Sequence, residues 1–484
     1  MYEEYENDLN GEEPFYEQSE RTSDIQLPPV VNVLLLTLWM VIFLIGLAVI
    51  YFGKNTVAGA IVIAVPTFIG MIIKPTFALC IMMLVLPTGA GVTFRDSFSL
   101  DRGVGIALAV SFFMNVIITR PRLRIGNKTL WVMGLYTVWV CLASLGGTYL
   151  NYELVRAFTQ VQLLVLILIV YWILQTNGEA AFRWASRAYV IGTLGTIALT
   201  FVTGSATRSM AEAPEQRYSA TLGEATDANM LATLIAIAFL AAIYLFARDR
   251  KLLWRLVYLV AILVLPVMLL KIGSRGGLIA LLITMLSPLL FIRQVARRPA
   301  LAALLLFVIL LGSVSAALVV RSSGLEAPVA TRLTNLQQAE EAFDYRMMPI
   351  KKALTCIAER PFGTSFYGWF EQSGLTILPH NDFFFALGVY GLPGAILFTW
   401  FVILIMLTVK RLPLGLEKLY ARAILTYLLV MGLNVGQLYQ KHYWVFLAFV
   451  LASERVAEFY TVTDEALPAY DEYDDEFILQ EQLA

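Results

Sequence analysis

At 484 residues, 59% hydrophobic and only 15% charged, the chain departs from soluble domains, in which roughly a quarter of residues are charged. A mean hydropathy of +0.72 excludes an ordinary soluble protein, and with a net charge of −1 no nucleic-acid partner is expected. Backbone polar groups in lipid must be satisfied within each segment, so the expected class is an all-α polytopic membrane protein.

Residues 1–27 are acidic and tyrosine-rich, which predicts a disordered cytoplasmic tail. This stretch lacks the basic region and cleavage site of a signal peptide, so the first apolar helix is expected to be the insertion signal. Residues 28–455 are expected to form one transmembrane domain. Its apolar runs fall at 29–52, 56–73, 76–92, 103–119, 129–148, 155–175, 187–204, 226–247, 253–271, 276–293, 299–320, 383–409, 418–435 and 442–453. Segment 76–92 contains Pro87, Gly89 and Gly91 and reads as re-entrant, and segment 442–453 is short. About 12 to 14 transmembrane helices are therefore expected. Residues 456–484 form a second acidic tail, and both tails offer surfaces to cytoplasmic partners.

The positive-inside rule orients the helices. With both termini cytoplasmic, the basic connections at Arg120–Lys128, Arg183–Arg187, Arg248–Lys251, Arg293–Arg298 and Lys410–Lys418 all fall inside. Outside lie Ser205–Ala225 and one long extracytoplasmic loop, 321–382, which is too long for a simple connection. Within that loop Leu333–Ala358 has helical apolar spacing and suits a membrane surface, with Pro349 expected to kink or split it.

Four constellations on the expected outer side could carry chemistry. His380-Asn381 ends the long loop where an apolar run begins, and only histidine titrates near neutrality unaided. If a helix starts there, Phe384, Leu387 and Gly391 share a face with His380, Gly391 and Gly394 allow close approach of a neighbouring helix, and Asn381 or Asp382 caps the first turn. Ser274-Arg275-Gly276 places a guanidinium among glycines at a helix start, suited to an anion. Arg217-Tyr218-Ser219, with Asn229 beyond, adds a second guanidinium; Glu224 and Asp227 read as helix-start acids rather than metal ligands. Arg346 fits either an anionic headgroup or a solvated basic face. Within the apolar runs, Arg156, Gln160, Gln162, Asn434 and Gln437 are expensive unless they line a cavity, although Arg156 could snorkel.

Cys80, Cys141 and Cys356 lack metal-ligand or disulfide spacing, and there is no P-loop, GxGxxG or HExxH motif. Neither a metal nor another cofactor is expected.

In order along the chain, Arg217-x-Ser219, Asn229, Ser274-Arg275-Gly276, Arg346, Pro361-Phe362-Gly363 and His380-Asn381 with Gly391 and Gly394 resemble the O-antigen ligase and O-antigen polymerase superfamily. The likeness covers roughly residues 130–450. Departures are Ser365 and Ala220 where the family often has glycine, Val389 where an acid is common, and no tryptophan after Arg346. The resemblance implies a multi-pass protein of the bacterial inner membrane. It implies transfer of a glycan from an undecaprenyl-diphosphate donor to a glycan or lipid acceptor on the outer face. His380 would act as base and Arg217 and Arg275 as catalytic cations, in an inverting, metal-independent reaction. Arg346, Asn381, Ser274, Ser219 and Asn229 would bind substrate. The rival readings are a transporter or lipid-linked-glycan flippase, and a scaffold acting through its acidic tails.

Overall fold

A computed structural model describes residues 28–51, 53, 56–91, 93–94, 98–121, 126–202, 228–272, 274–287 and 336–465. The expected helix 299–320, residues 1–27, residues 466–484 and the segment carrying Arg217 and Ser219 lie outside the described residues, and helix continues into the expected second tail as far as Glu465. The protein is an all-α polytopic membrane protein, and six described helices are long and apolar enough to cross a membrane.

The first half holds α1 (Pro29–Tyr51), α2 (Thr56–Ile73), α3 (Pro75–Val85), α4 (Leu100–Thr119), α5 (Lys128–Leu145) and α6 (Leu150–Val202). Segment 76–92 stops short of a span: α3 passes into the tight turn Leu86–Gly91, where proline and glycine end the helix, and then into a two-residue antiparallel pair, Thr93–Phe94 with Phe98–Ser99. The two runs expected at 155–175 and 187–204 form one helical stretch, broken only at Gly178 (φ 59°, ψ −143°). Polar residues 176–186 suggested a loop, yet a single glycine is enough to redirect the chain.

The second half holds α7 (Ala228–Arg248), α8 (Leu252–Ile272), α9 (Arg275–Leu286), α10 (Leu336–Glu359), α11 (Phe366–Ser373), α12 (Asp382–Arg411), α13 (Leu416–Asn434) and α14 (Lys441–Glu465). Pro349 lies inside α10 without splitting it, so of the two expected effects, kink or split, the split does not occur. The loss of one backbone hydrogen bond is tolerated there.

α12 breaks at Gly391 (φ 71°, ψ −170°), a conformation almost confined to glycine. Gly391 therefore does not continue one helix face from His380, and the close neighbour is the Pro361–Ser365 loop rather than a helix. Leu392 N–H donates to the Pro361 carbonyl (2.8 Å), while Thr364 and Ser365 N–H groups donate to Val389 O (3.1 and 3.0 Å). The loop thus satisfies backbone groups that the break releases. Gly394 does meet a neighbouring helix, through Trp139 of α5, whose indole N–H donates to Tyr390 O (2.7 Å).

One end of the bundle gathers basic residues. Arg187 forks onto Asp249 (2.7 Å) between the rings of Trp184 and Trp254, and Arg248 at the end of α7 reaches Glu417 at the start of α13 (3.7 Å). Lys418 Nζ donates to the carbonyls of Lys410 (2.9 Å) and Leu412 (2.6 Å), where α12 ends. The start of α7, the start of α12 and the end of α13 consequently lie at the opposite end, where His380 sits.

Candidate functional site

Asn381 caps α12: its side-chain oxygen accepts from the N–H groups of Phe383 (3.0 Å) and Phe384 (3.2 Å), and its Nδ2 donates to Leu433 O (3.3 Å). The cap leaves His380 just before the helix, half-buried. It lines a cavity of about 270 Å³ with Met230, Asp382, Phe385, Gln437 and Tyr439 among its walls.

Asp382 turns inward. Its Oδ1 accepts from Gln437 N–H (2.7 Å) and Leu438 N–H (3.3 Å), and its Oδ2 occupies space beside Gly432 that a Cβ would fill, 2.5 Å from the oxygen. Gln437, buried completely, pairs its side-chain oxygen with His442 Nε2 (2.9 Å) and points its amide at Thr233 Oγ1 (3.5 Å). The second histidine of the chain is therefore a core residue behind the cavity floor.

Ser274 caps α9, accepting from Gly277 N–H (3.1 Å), and its hydroxyl donates to Asn229 Oδ1 (2.7 Å). Asn229 precedes Met230, a wall residue of the His380 cavity. Gly276, next to Arg275, faces the side chain of Asn434 (3.6 Å from an added Cβ), and Asn434 follows the Leu433 carbonyl that holds Asn381. Two separate bridges, through α7 and through α13, thus bring Arg275 and His380 to one end of the bundle. Of the expected substrate contacts, Ser274, Asn229 and Asn381 use their side-chain polar groups to build this corner. Arg346 lies half-buried on α10, two turns before Ala353, which packs against Gly388 of α12. Among the described residues it joins none of these hydrogen bonds.

Sequence reasoning missed a second anchor. Glu153, fully buried near the start of α6, accepts from Ser365 Oγ (2.6 Å), Phe366 N–H (3.0 Å) and Tyr367 N–H (2.6 Å), which pins the start of α11. Ser365 itself adopts φ 67° and ψ 174°, backbone space that glycine takes without strain. Beside it an aromatic group of Phe366, Phe385, Tyr390 and Tyr439 borders the cavity, with the Tyr390 and Tyr439 hydroxyls in contact. The signal available was Glu153 itself, an acid at the threshold of the apolar run 155–175.

A family model described as O-antigen ligase matches residues 261–399. The matched span contains Ser274, Arg275, Arg346, His380 and Asn381, and the Gly363–Gly391 crossing. No curated protein matches this chain.

Proposed function

We propose that the chain, whose residues 261–399 match a family model described as O-antigen ligase, transfers a glycan from an undecaprenyl-diphosphate donor to an acceptor hydroxyl at the extracytoplasmic face. The observation that supports this reading is that Arg275 and His380 both lie at the bundle end opposite the basic connections. Positive loops favour the cytoplasmic side, which supports a cavity open to the extracytoplasmic side.

The chemistry follows from the groups assembled there. The acceptor oxygen attacks the anomeric carbon while His380 takes its proton, a step worth roughly 10²–10⁴ in rate. The bond from the anomeric carbon to the diphosphate oxygen breaks, the configuration inverts, and undecaprenyl diphosphate leaves. Arg275, with Arg217 and Arg346, neutralises the charge that builds on the leaving group. Such a fixed donor typically contributes about 10²–10³. Ser274 and Asn229 hold Arg275 in place, and Asn381 holds His380 at the helix mouth.

The test is a reconstitution. Purified protein given lipid-linked glycan and acceptor should release undecaprenyl diphosphate as the glycan is transferred. Movement of the intact donor across a vesicle bilayer without that release would favour a flippase instead.

A further inference from the structure

Arg156, on α6 one turn beyond Glu153, is a cation with aromatic faces for company. Its guanidinium lies 4.2 Å from the ring centre of Phe366 and 5.6 Å from that of Tyr439. Tyr439 and Phe385 both line the His380 cavity, and Tyr439 packs edge-on against each of Phe366 (5.6 Å) and Phe385 (5.7 Å). One ring therefore separates Arg156 from the cavity wall. The nearby carboxylate is already committed, because both oxygens of Glu153 accept from the start of α11. Among the described residues Arg156 makes no hydrogen bond or ion pair, so its donors remain available to a ligand.

We propose that Arg156 is a further phosphate-binding residue of this site, reaching past Tyr439 to a phosphate group of a substrate in the His380 cavity. The two rings, set at right angles, restrain the guanidinium on two sides while leaving N–H groups to form paired hydrogen bonds with phosphate oxygens. A snorkelling arginine would instead carry its charge away from the cavity to water. The phosphate has two possible sources, the donor diphosphate and a phosphorylated acceptor. The identity of the ligand rests on the transferase reading; the affinity of Arg156 for phosphate does not.

The experiment compares the full-length protein with Arg156→Met, which keeps the packing volume, and Arg156→Lys, which keeps the charge. Binding of undecaprenyl diphosphate is followed by tryptophan fluorescence, and melting temperature reports folding. Charge-assisted hydrogen bonds of this kind predict about a tenfold weaker affinity for Arg156→Met at an unchanged melting temperature, with Arg156→Lys between the two. In the transfer assay a raised KM for donor assigns the phosphate to the donor, and a raised KM for a phosphorylated acceptor assigns it there. Wild-type affinity and both KM values in a folded Arg156→Met protein would overturn the proposal. Should the wild type bind undecaprenyl diphosphate in an Arg156-dependent way yet transfer nothing, the transferase reading alone would fall.

Discussion

The Ser274 hydroxyl donates to the Asn229 side-chain oxygen at 2.7 Å, joining the first turn of α9 to the first turn of α7. The same hydroxyl accepts from Gly277 N–H, so one atom both caps α9 and sets the position of Arg275. Ser274→Ala removes both bonds, at a cost of about 1 kcal/mol for the cap. Because a small displacement of Arg275, the proposed catalytic cation, is costly, transfer should fall at least tenfold while the protein still folds. Steady-state kinetics beside a melting curve check this, and Ser274→Thr should recover part of the loss.

Gly363 and Gly391 cross backbone to backbone. A Cβ on Gly363 would sit 2.6 Å from Val389 O, and one on Gly391 would overlap the Phe362 and Gly363 backbone. Gly391→Ala adds that overlap to a φ of 71°, so a destabilisation of roughly 2–6 kcal/mol is expected. Detergent-solubilised protein should show a lower melting temperature and loss of folded yield, whereas alanine at Gly134, whose added Cβ meets nothing within 4 Å, should be tolerated.

Ser365 sets two terms against each other. Its φ of 67° strains any residue but glycine, by about 1–3 kcal/mol, while its hydroxyl caps α11 and bonds Glu153. Ser365→Gly relieves the strain as it loses the bonds and should be nearly neutral. Ser365→Ala keeps the strain, loses both bonds and should destabilise by about 1–3 kcal/mol. Melting temperatures of the two variants decide the matter by their order.

Asp249 makes the basic end sensitive to acid. Burial alone would raise its pKa, but hydrogen bonds from Arg187 and Tyr258 and the charges of Arg187 and Arg183 hold it below the usual carboxylate value. A folded pKa below the unfolded one means that the unfolded chain takes up the proton first as pH falls. The stabilisation is complete above the unfolded value, near about 3.9 for aspartate, and is lost as pH falls through the folded pKa. Asp249→Asn should flatten the acid limb of stability. It should also cost about 3–5 kcal/mol at neutral pH, because buried Arg187 loses its charged partner. Melting temperature measured from pH 7 down to acid checks both.

The helices were legible because apolar runs of spanning length are a one-dimensional signal. Local motifs were readable for the same reason, as with Ser274 before its helix and Asn381 before α12. Contacts set by tertiary packing were not readable. Glu153 meets Ser365 across 212 positions, and Asp382 meets Gln437 across 55, with no pattern in the sequence that pairs them. The break at Gly178 was hidden because polar residues around it suggested a loop where the structure keeps helix on either side. Pro361-Phe362-Gly363 stood out as a motif, but its task, satisfying the backbone at Gly391, appears only once α12 is seen to break.

The most direct measurement is single-turnover transfer by purified protein with His380→Ala beside the wild type, at saturating lipid-linked donor and with folding verified. The account predicts loss of roughly 10²–10⁴ in rate with donor binding retained, and a comparable failure for Arg275→Lys, whose ammonium cannot reproduce the guanidinium fork. Near-normal turnover by His380→Ala would contradict it.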